Sequence, residues 1–406
     1  MATQRVVSIG LALTLLAGSA QADPVKIWGK QLGSANFDYG SGIARGPADA
    51  VAVVGSTDGP LAGTPKGQGD GFLALYRGDG TLAWKRQIGS TGNESLNGVA
   101  FDPAGYVLFV GESDGSIKGT NKGARDIVLG KYSPTGSSVF KRQIGTFDDE
   151  EGHAIAAHSD GSFVVVGHTY GDFVVPNVGR ADAVVVKYSS TGGRLWARQL
   201  GSTNFDSANA VAIDALGNVF VAGRTDGALA GPPQGTDIFV AKYSPTGTLL
   251  WTRQYGSTAG GEWAQSIAVD SVGDVVLVGT TGSSLGGPQQ GGGDVFVMKC
   301  DPDGNQKWIQ QFGSATMDSG WSVAIDTADN IIVSGTNGGD ALLAKYSSAG
   351  SQLWFYTFGS LGEDKGYGVT TTASDDIVVA GSTTAKLMGP YKGYADAFVV
   401  RYTDQP

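Results

Sequence analysis

The chain has 406 residues, 65 of them glycine, with 16% charged residues, a formal net charge of −10 and one cysteine. Average proteins carry about 7% glycine and about 25% charge, so this composition calls for many tight turns and little solvated surface. A hydrophobic content of 41% excludes a disordered chain, the negative charge excludes the basic surface that nucleic acid needs, and one cysteine excludes an intrachain disulfide.

Residues 1–22 read as a secretory signal peptide. Arg5 is their only charge, residues 6–16 are mostly apolar, and Ala20-Gln21-Ala22 supplies the small residues of a cleavage site. That run is about half the length a bilayer requires, and no later stretch is longer. The expectation is a monomeric protein without a membrane span, exported to the periplasm or the cell exterior.

Residues 23–406 repeat one unit seven times, at intervals of about 55 residues. An aromatic marker stands at Trp28, Trp84, Phe140, Trp196, Trp251, Trp308 and Trp354, each followed five residues later by glycine. Next comes an acid, at Asp38, Glu94, Glu150, Asp206, Glu262, Asp318 and Asp364. Further on, an aspartate opens a strand in every copy: Asp70, Asp126, Asp182, Asp237, Asp294, Asp340 and Asp396. The fourth copy shows how a unit folds. Residues 208–213 and 219–222 form a hairpin, a glycine-rich loop follows, and residues 238–243 turn through Ser244-Pro245-Thr246-Gly247 into 249–255.

Four short β-branched strands per unit, with no 3.6-residue period, predict an all-β fold: a seven-bladed β-propeller of four-stranded antiparallel blades. The last copy stops after its third strand, and residues 25–32 form a fourth strand with no unit of their own. Pairing the two closes the ring and removes two sheet edges.

The unit Trp196-x-Arg198-Gln199-x-Gly201-Ser202, with residues 210–219 and 237–243 behind it, resembles the bacterial SBBP β-propeller repeats. The resemblance extends over residues 25–403. It implies a propeller fold and export, and brings no assigned chemistry or catalytic residue with it.

Two columns are candidates for function. The seven acids Asp38, Glu94, Glu150, Asp206, Glu262, Asp318 and Asp364 fall on connections expected to open on one face, near Asp58, Asp114, Asp172 and Asp226. They either cap turns or give that face a negative field suited to cations, amines or basic protein segments. Two residues into each first strand the copies are dissimilar, with Ser41, Asn97, His153, Asn209, Gln265, Trp321 and Tyr367. On the innermost strand these side chains border the channel, where Trp321 and Tyr367 suit stacking against a sugar or aromatic ring.

The third copy is the most divergent and holds all three histidines. A hairpin turning at 159–161 brings His153 and His168 roughly opposite each other, near Glu150. The preferred reading is a binding or scaffold protein presenting an acidic channel mouth to a cationic, glycan or protein ligand, with no cofactor. The alternative is a hydrolase or lyase using His153, His168 and Glu150, with or without a divalent metal. A third possibility is calcium held by the aspartates that open the third strands, which otherwise accept backbone hydrogen bonds at the mouth of the loop.

Overall fold

The computed structural model describes residues 23–258 and 260–404, so the expected signal peptide lies outside the described residues. Among the described residues, twenty-eight strands form seven antiparallel sheets of four strands each. The fold is the all-β seven-bladed propeller that the repeats predict. In the third blade the strands are Glu150–Ala157, Phe163–Thr169, Asp182–Tyr188 and Arg194–Leu200, neighbours in that order. The first strands of all seven blades contact one another in a closed ring, which places them around the axis. Among the described residues no helix is long and apolar enough to cross a membrane.

Local chemistry sets the strand ends. Gly247, at φ 83°, donates its backbone N–H to Ser244 O at 2.9 Å and closes the turn between the third and fourth strands of its blade. The first two strands of that blade run farther than the apolar pattern alone indicates, to Asp206–Ile213 and Val219–Thr225. Asp206 and Thr225 are register partners, so the acid belongs to the ladder and is not loop.

The core lies between blades. Second and third strands are buried almost throughout, and one apolar cluster joins Val54, Leu73 and Trp84 of the first blade to Leu96, Phe109 and Val128 of the second. Each fully buried Phe or Leu of this kind contributes about 1.5–3 kcal/mol. Polar staples add direction. The indole N–H groups of Trp84, Trp196 and Trp308 donate to Pro134 O, Pro245 O and Ser348 O of the following blade, at 2.9, 3.0 and 3.2 Å.

Closure follows the same rules. Strand Lys26–Leu32 pairs antiparallel with Asp396–Tyr402 and completes the seventh blade. Trp28 then donates to Gly78 O of the first blade at 3.1 Å, and Val53 and Phe72 pack with Val378 and Val399 across the seam.

Candidate functional site

The seven acids are structural. Asp38, Glu94, Glu150, Asp206, Glu262, Asp318 and Asp364 are all buried, at 0–3% exposure. Each accepts hydrogen bonds from the Ser or Thr that opens its own connection. Ser202 donates to Asp206 from backbone N–H and Oγ at 2.6 and 2.7 Å, and Ser360 to Asp364 at 2.6 and 2.8 Å. Burial pushes the carboxyls of Asp38 and Asp206 above their ordinary range, although these hydrogen bonds oppose the shift. None of the seven lines either cavity described below. The expected acidic ring at the mouth is therefore replaced by seven capped turns, because carboxylates with protein donors this close turn inward instead of toward solvent. The aspartates that open the third strands serve a related purpose. Asp182 Oδ2 accepts from Val178 N–H at 3.1 Å and from Gln199 Nε2 at 2.9 Å.

The variable column does line the axis. Ser41, Asn97, His153, Asn209, Gln265, Trp321 and Tyr367 all border one cavity of about 490 Å³, joined by Tyr39 and Ser56. Its wall draws on every blade, which puts it on the propeller axis. Each of these seven residues is the extra residue of a β-bulge on a first strand, as between Gly152 and Ala154 or between Gly320 and Ser322. A bulge locally breaks the ladder and re-aims the side chain it carries. The fold thus repeats one device seven times and varies only its tip.

Several tips also tie neighbouring blades together. Asn97 Nδ2 donates to Gly152 O at 2.9 Å and Asn209 Nδ2 to Ala264 O at 3.0 Å, while His153 Nδ1 lies 3.1 Å from Ala208 O. Trp321 and Tyr367 meet edge to face, with ring centroids 5.2 Å apart. The Trp321 indole N–H donates to Thr336 Oγ1 at 3.2 Å, and both rings border the cavity.

A second cavity of about 390 Å³ shares His153, Asn209 and Gln265 with the first. Its wall adds Glu151, His168, Tyr170, Ser207, Arg224 and Trp263. The hairpin brings His153 and His168 together as expected, with ring centroids 5.1 Å apart. Their carboxylate is Glu151, not Glu150. Glu150 turns into the core and accepts from Thr146 N–H and Oγ1, both at 2.6 Å, and from Thr169 Oγ1 at 2.7 Å. Glu151 is the register partner of His168, and one oxygen lies 3.3 Å from His153 Nε2. The other oxygen meets Arg125, which is held by Asp149 at 2.7 and 2.9 Å. Strand alternation alone distinguishes the two glutamates, since Glu151 and His153 share parity and Glu150 does not.

Electrostatics sets the protonation states. The contact with His153 holds the Glu151 carboxyl down to about 2, overcoming its burial. Burial, with the neighbouring His153, depresses His168 to about 4, so it is neutral at pH 7. Burial and the repulsion of Glu151 push nearby Glu112 up to about 7. His158 lies apart, beside Asp160 at the far turn of the hairpin, with Nδ1 at 3.1 Å from that carboxylate. Cys300 is a buried thiol that donates to Tyr255 Oη at 3.6 Å, and burial pushes it up to about 11, which disfavours the thiolate.

Together the sheets and the axial cavity define a β-propeller with a ligand-sized axial site. Residues 195–229 match the Beta-propeller repeat family SBBP. Over 258 residues the chain is 29% identical to the regulatory protein FlaEY of Caulobacter vibrioides. The alignment covers 59% of this chain and 25% of that protein, so the match spans about a quarter of the curated relative. Among solved structures, polysaccharide lyase Uly1 is similar with a TM-score of 0.52 at 11% identity, over 94% of this chain and 99% of that one. Sqt1 from Chaetomium thermophilum gives 0.51 at 14% identity, over 91% and 86%. These two likenesses concern the fold.

Proposed function

We propose that the protein is an exported binding propeller whose axial cavity holds a glycan, a sugar end or short oligosaccharide. The observation that carries this reading is the cavity lining: hydroxyls, carboxamides and an aromatic pair, one from each bulge, with no carboxylate or basic chain other than His153. Amide and hydroxyl groups match the paired donors and acceptors of sugar hydroxyls, while Trp321 and Tyr367 cover the apolar face of a pyranose ring. With the seven acids buried, the negative charge expected at that face is left to Asp58, Asp114, Asp172 and Asp226, none of which borders the axial cavity. With residues 1–22 read as an export signal, a single copy of the chain meets this ligand in the periplasm or outside the cell.

Titration of neutral oligosaccharides against tryptophan fluorescence tests the reading. Trp321→Ala and Tyr367→Ala are each expected to weaken binding about tenfold, the equivalent of about 1.4 kcal/mol. A panel of neutral oligosaccharides that gives no saturable signal, or equal affinity in both variants, ends it.

A second reading, catalysis on the bound ligand, is favoured by one observation: His153 borders both cavities and so joins Glu151 and neutral His168 to the sugar site. A neutral imidazole beside an ionised carboxylate can accept a proton from a bound ligand. Turnover abolished in His168→Gln with binding retained supports it; no turnover in the wild type with any bound glycan removes it.

A further inference from the structure

We propose that Glu151, His153 and His168 bind one divalent ion of the zinc class at the wall of the second cavity. The proposal does not depend on the identity of the axial ligand.

The tautomers are the first argument. His153 Nδ1 lies 3.1 Å from Ala208 O, a carbonyl that can only accept, so this nitrogen carries the proton. Ser207 Oγ donates its single proton to Asn209 Oδ1 at 3.0 Å, an oxygen whose orientation is fixed because Asn209 Nδ2 donates to Ala264 O. The Ser207 oxygen can therefore only accept from His168 Nδ1, at 3.4 Å. Both imidazoles carry their Nδ1 proton, so Nε2 is the nitrogen each can offer, and on His153 an ion there takes the place of the proton that faces Glu151. Backbone carbonyls and hydroxyls that orient the second ring nitrogen in this way are the usual outer support of metal-binding histidines.

The second argument is distance. His153 Nε2 and Glu151 Oε2 are 3.3 Å apart. A charge-assisted hydrogen bond between such groups closes to about 2.7–2.9 Å. Two donors each about 2.0–2.1 Å from a tetrahedral zinc ion stand about 3.3 Å apart. One donor atom from each of Glu151, His153 and His168 lies within 4.8 Å of the other two. Arg125 holds the remaining oxygen of Glu151 and is itself balanced by Asp149, so the carboxylate is oriented from outside as well.

The donor set selects the metal. Two imidazole nitrogens and one carboxylate suit zinc and its first-row neighbours, whereas calcium takes six to eight oxygens. Three protein ligands are one short of a closed structural zinc site. The cavity of about 390 Å³ borders all three residues, so the remaining position opens on it.

The test uses the mature protein, stripped with chelator and titrated with Zn²⁺, and in parallel with Co²⁺ for its visible spectrum. One equivalent is expected to bind, with a cobalt band typical of four or five ligands. Ser207→Ala, which removes the acceptor of His168 Nδ1–H together with the Ser207–Asn209 hydrogen bond and leaves all three proposed ligands in place, is expected to weaken binding about 10–100-fold. Glu151→Gln is expected to weaken it at least as much, with circular dichroism confirming the fold of each variant. The proposal is overturned if the wild type binds neither ion, or if Ser207→Ala binds both as tightly as the wild type. In the first case the 3.3 Å contact is an ion pair alone. Should Glu151→Gln fail to fold, Ser207→Ala decides the question unaided.

Discussion

A Cβ built on Gly201 would stand 1.9 Å from Oδ1 of Asp182. The same closeness recurs between Gly33 and Asp396, Gly89 and Asp70, and Gly256 and Asp237. No positive φ requires these glycines; space does, because each aspartate lies wedged against the chain that leads into the next blade. Gly201→Ala is expected to destabilise the protein by about 1–3 kcal/mol, the range for forcing a methyl into a packed site. Urea titration would show a lower midpoint at unchanged slope. A midpoint equal to that of the wild type would mean that the carboxylate moves aside freely.

The seam between the chain ends makes the second prediction. Removing residues 23–33 deletes the strand that pairs with Asp396–Tyr402, the Trp28 staple to Gly78, and Gln31 Nε2, which donates to Asp396 Oδ2 at 2.8 Å. The partial burial of Trp28 and Leu32 is lost, and an open edge replaces a paired one. The melting temperature of the whole protein is expected to fall in scanning calorimetry. An unaltered melting curve would show that the ring does not need its clasp.

The fold was legible because each blade restates it, and seven aligned copies fix strand order, loop position and closure. The axial column was legible for a related reason: at Ser41, Trp321 or Tyr367 a repeat protein keeps the backbone and changes the side chain. What the sequence hid was the bulge, since inserting one residue leaves no mark on spacing when every copy carries it. Glu150 stands out in the sequence because it belongs to the repeated acid column, while Glu151 belongs to none. The acids themselves look alike whether they face solvent or a serine, and only burial separates the two cases. Alternation over 150–153, ahead of the bulge, held enough information to pair Glu151 with His153.

Acid stability should depend on Lys345. Its ammonium reaches Asp326 at 2.8 Å and also contacts Asp404, with little exposure of any of the three. Burial raises the Asp326 carboxyl, but the donors Lys345 and Asn330 outweigh it and leave the group below its ordinary range. A lowered folded pKa stabilises the fold above the unfolded value, about 3.9, and that contribution disappears as pH falls through the folded value. Lys345→Met strands the buried carboxylate of Asp326 beside that of half-buried Asp404, so it is expected to cost about 3–5 kcal/mol at pH 7. The gap between variant and wild type should narrow below about pH 4, as the stranded acids take up protons. Asp38 and Asp206, raised by burial, act in the opposite sense in both proteins and cancel in the comparison. A gap that stays constant from pH 7 to pH 3 would assign the loss to packing.

The two repeated columns should separate under mutation. Asp206 is fully buried and receives two short hydrogen bonds from Ser202, whereas Gln265 is half-buried and borders both cavities. Asp206→Asn removes a charged acceptor and is expected to lower stability by about 1.5–3 kcal/mol. Glycan affinity should be unchanged at temperatures where the variant is folded, because Asp206 reaches neither cavity. Gln265→Ala should do the reverse, leaving stability within about 0.5 kcal/mol while weakening the ligand. Paired urea and fluorescence titrations on the two variants read both quantities. If Asp206→Asn impairs binding without loss of stability, the acids act on the ligand after all, and their assignment to the turns is wrong.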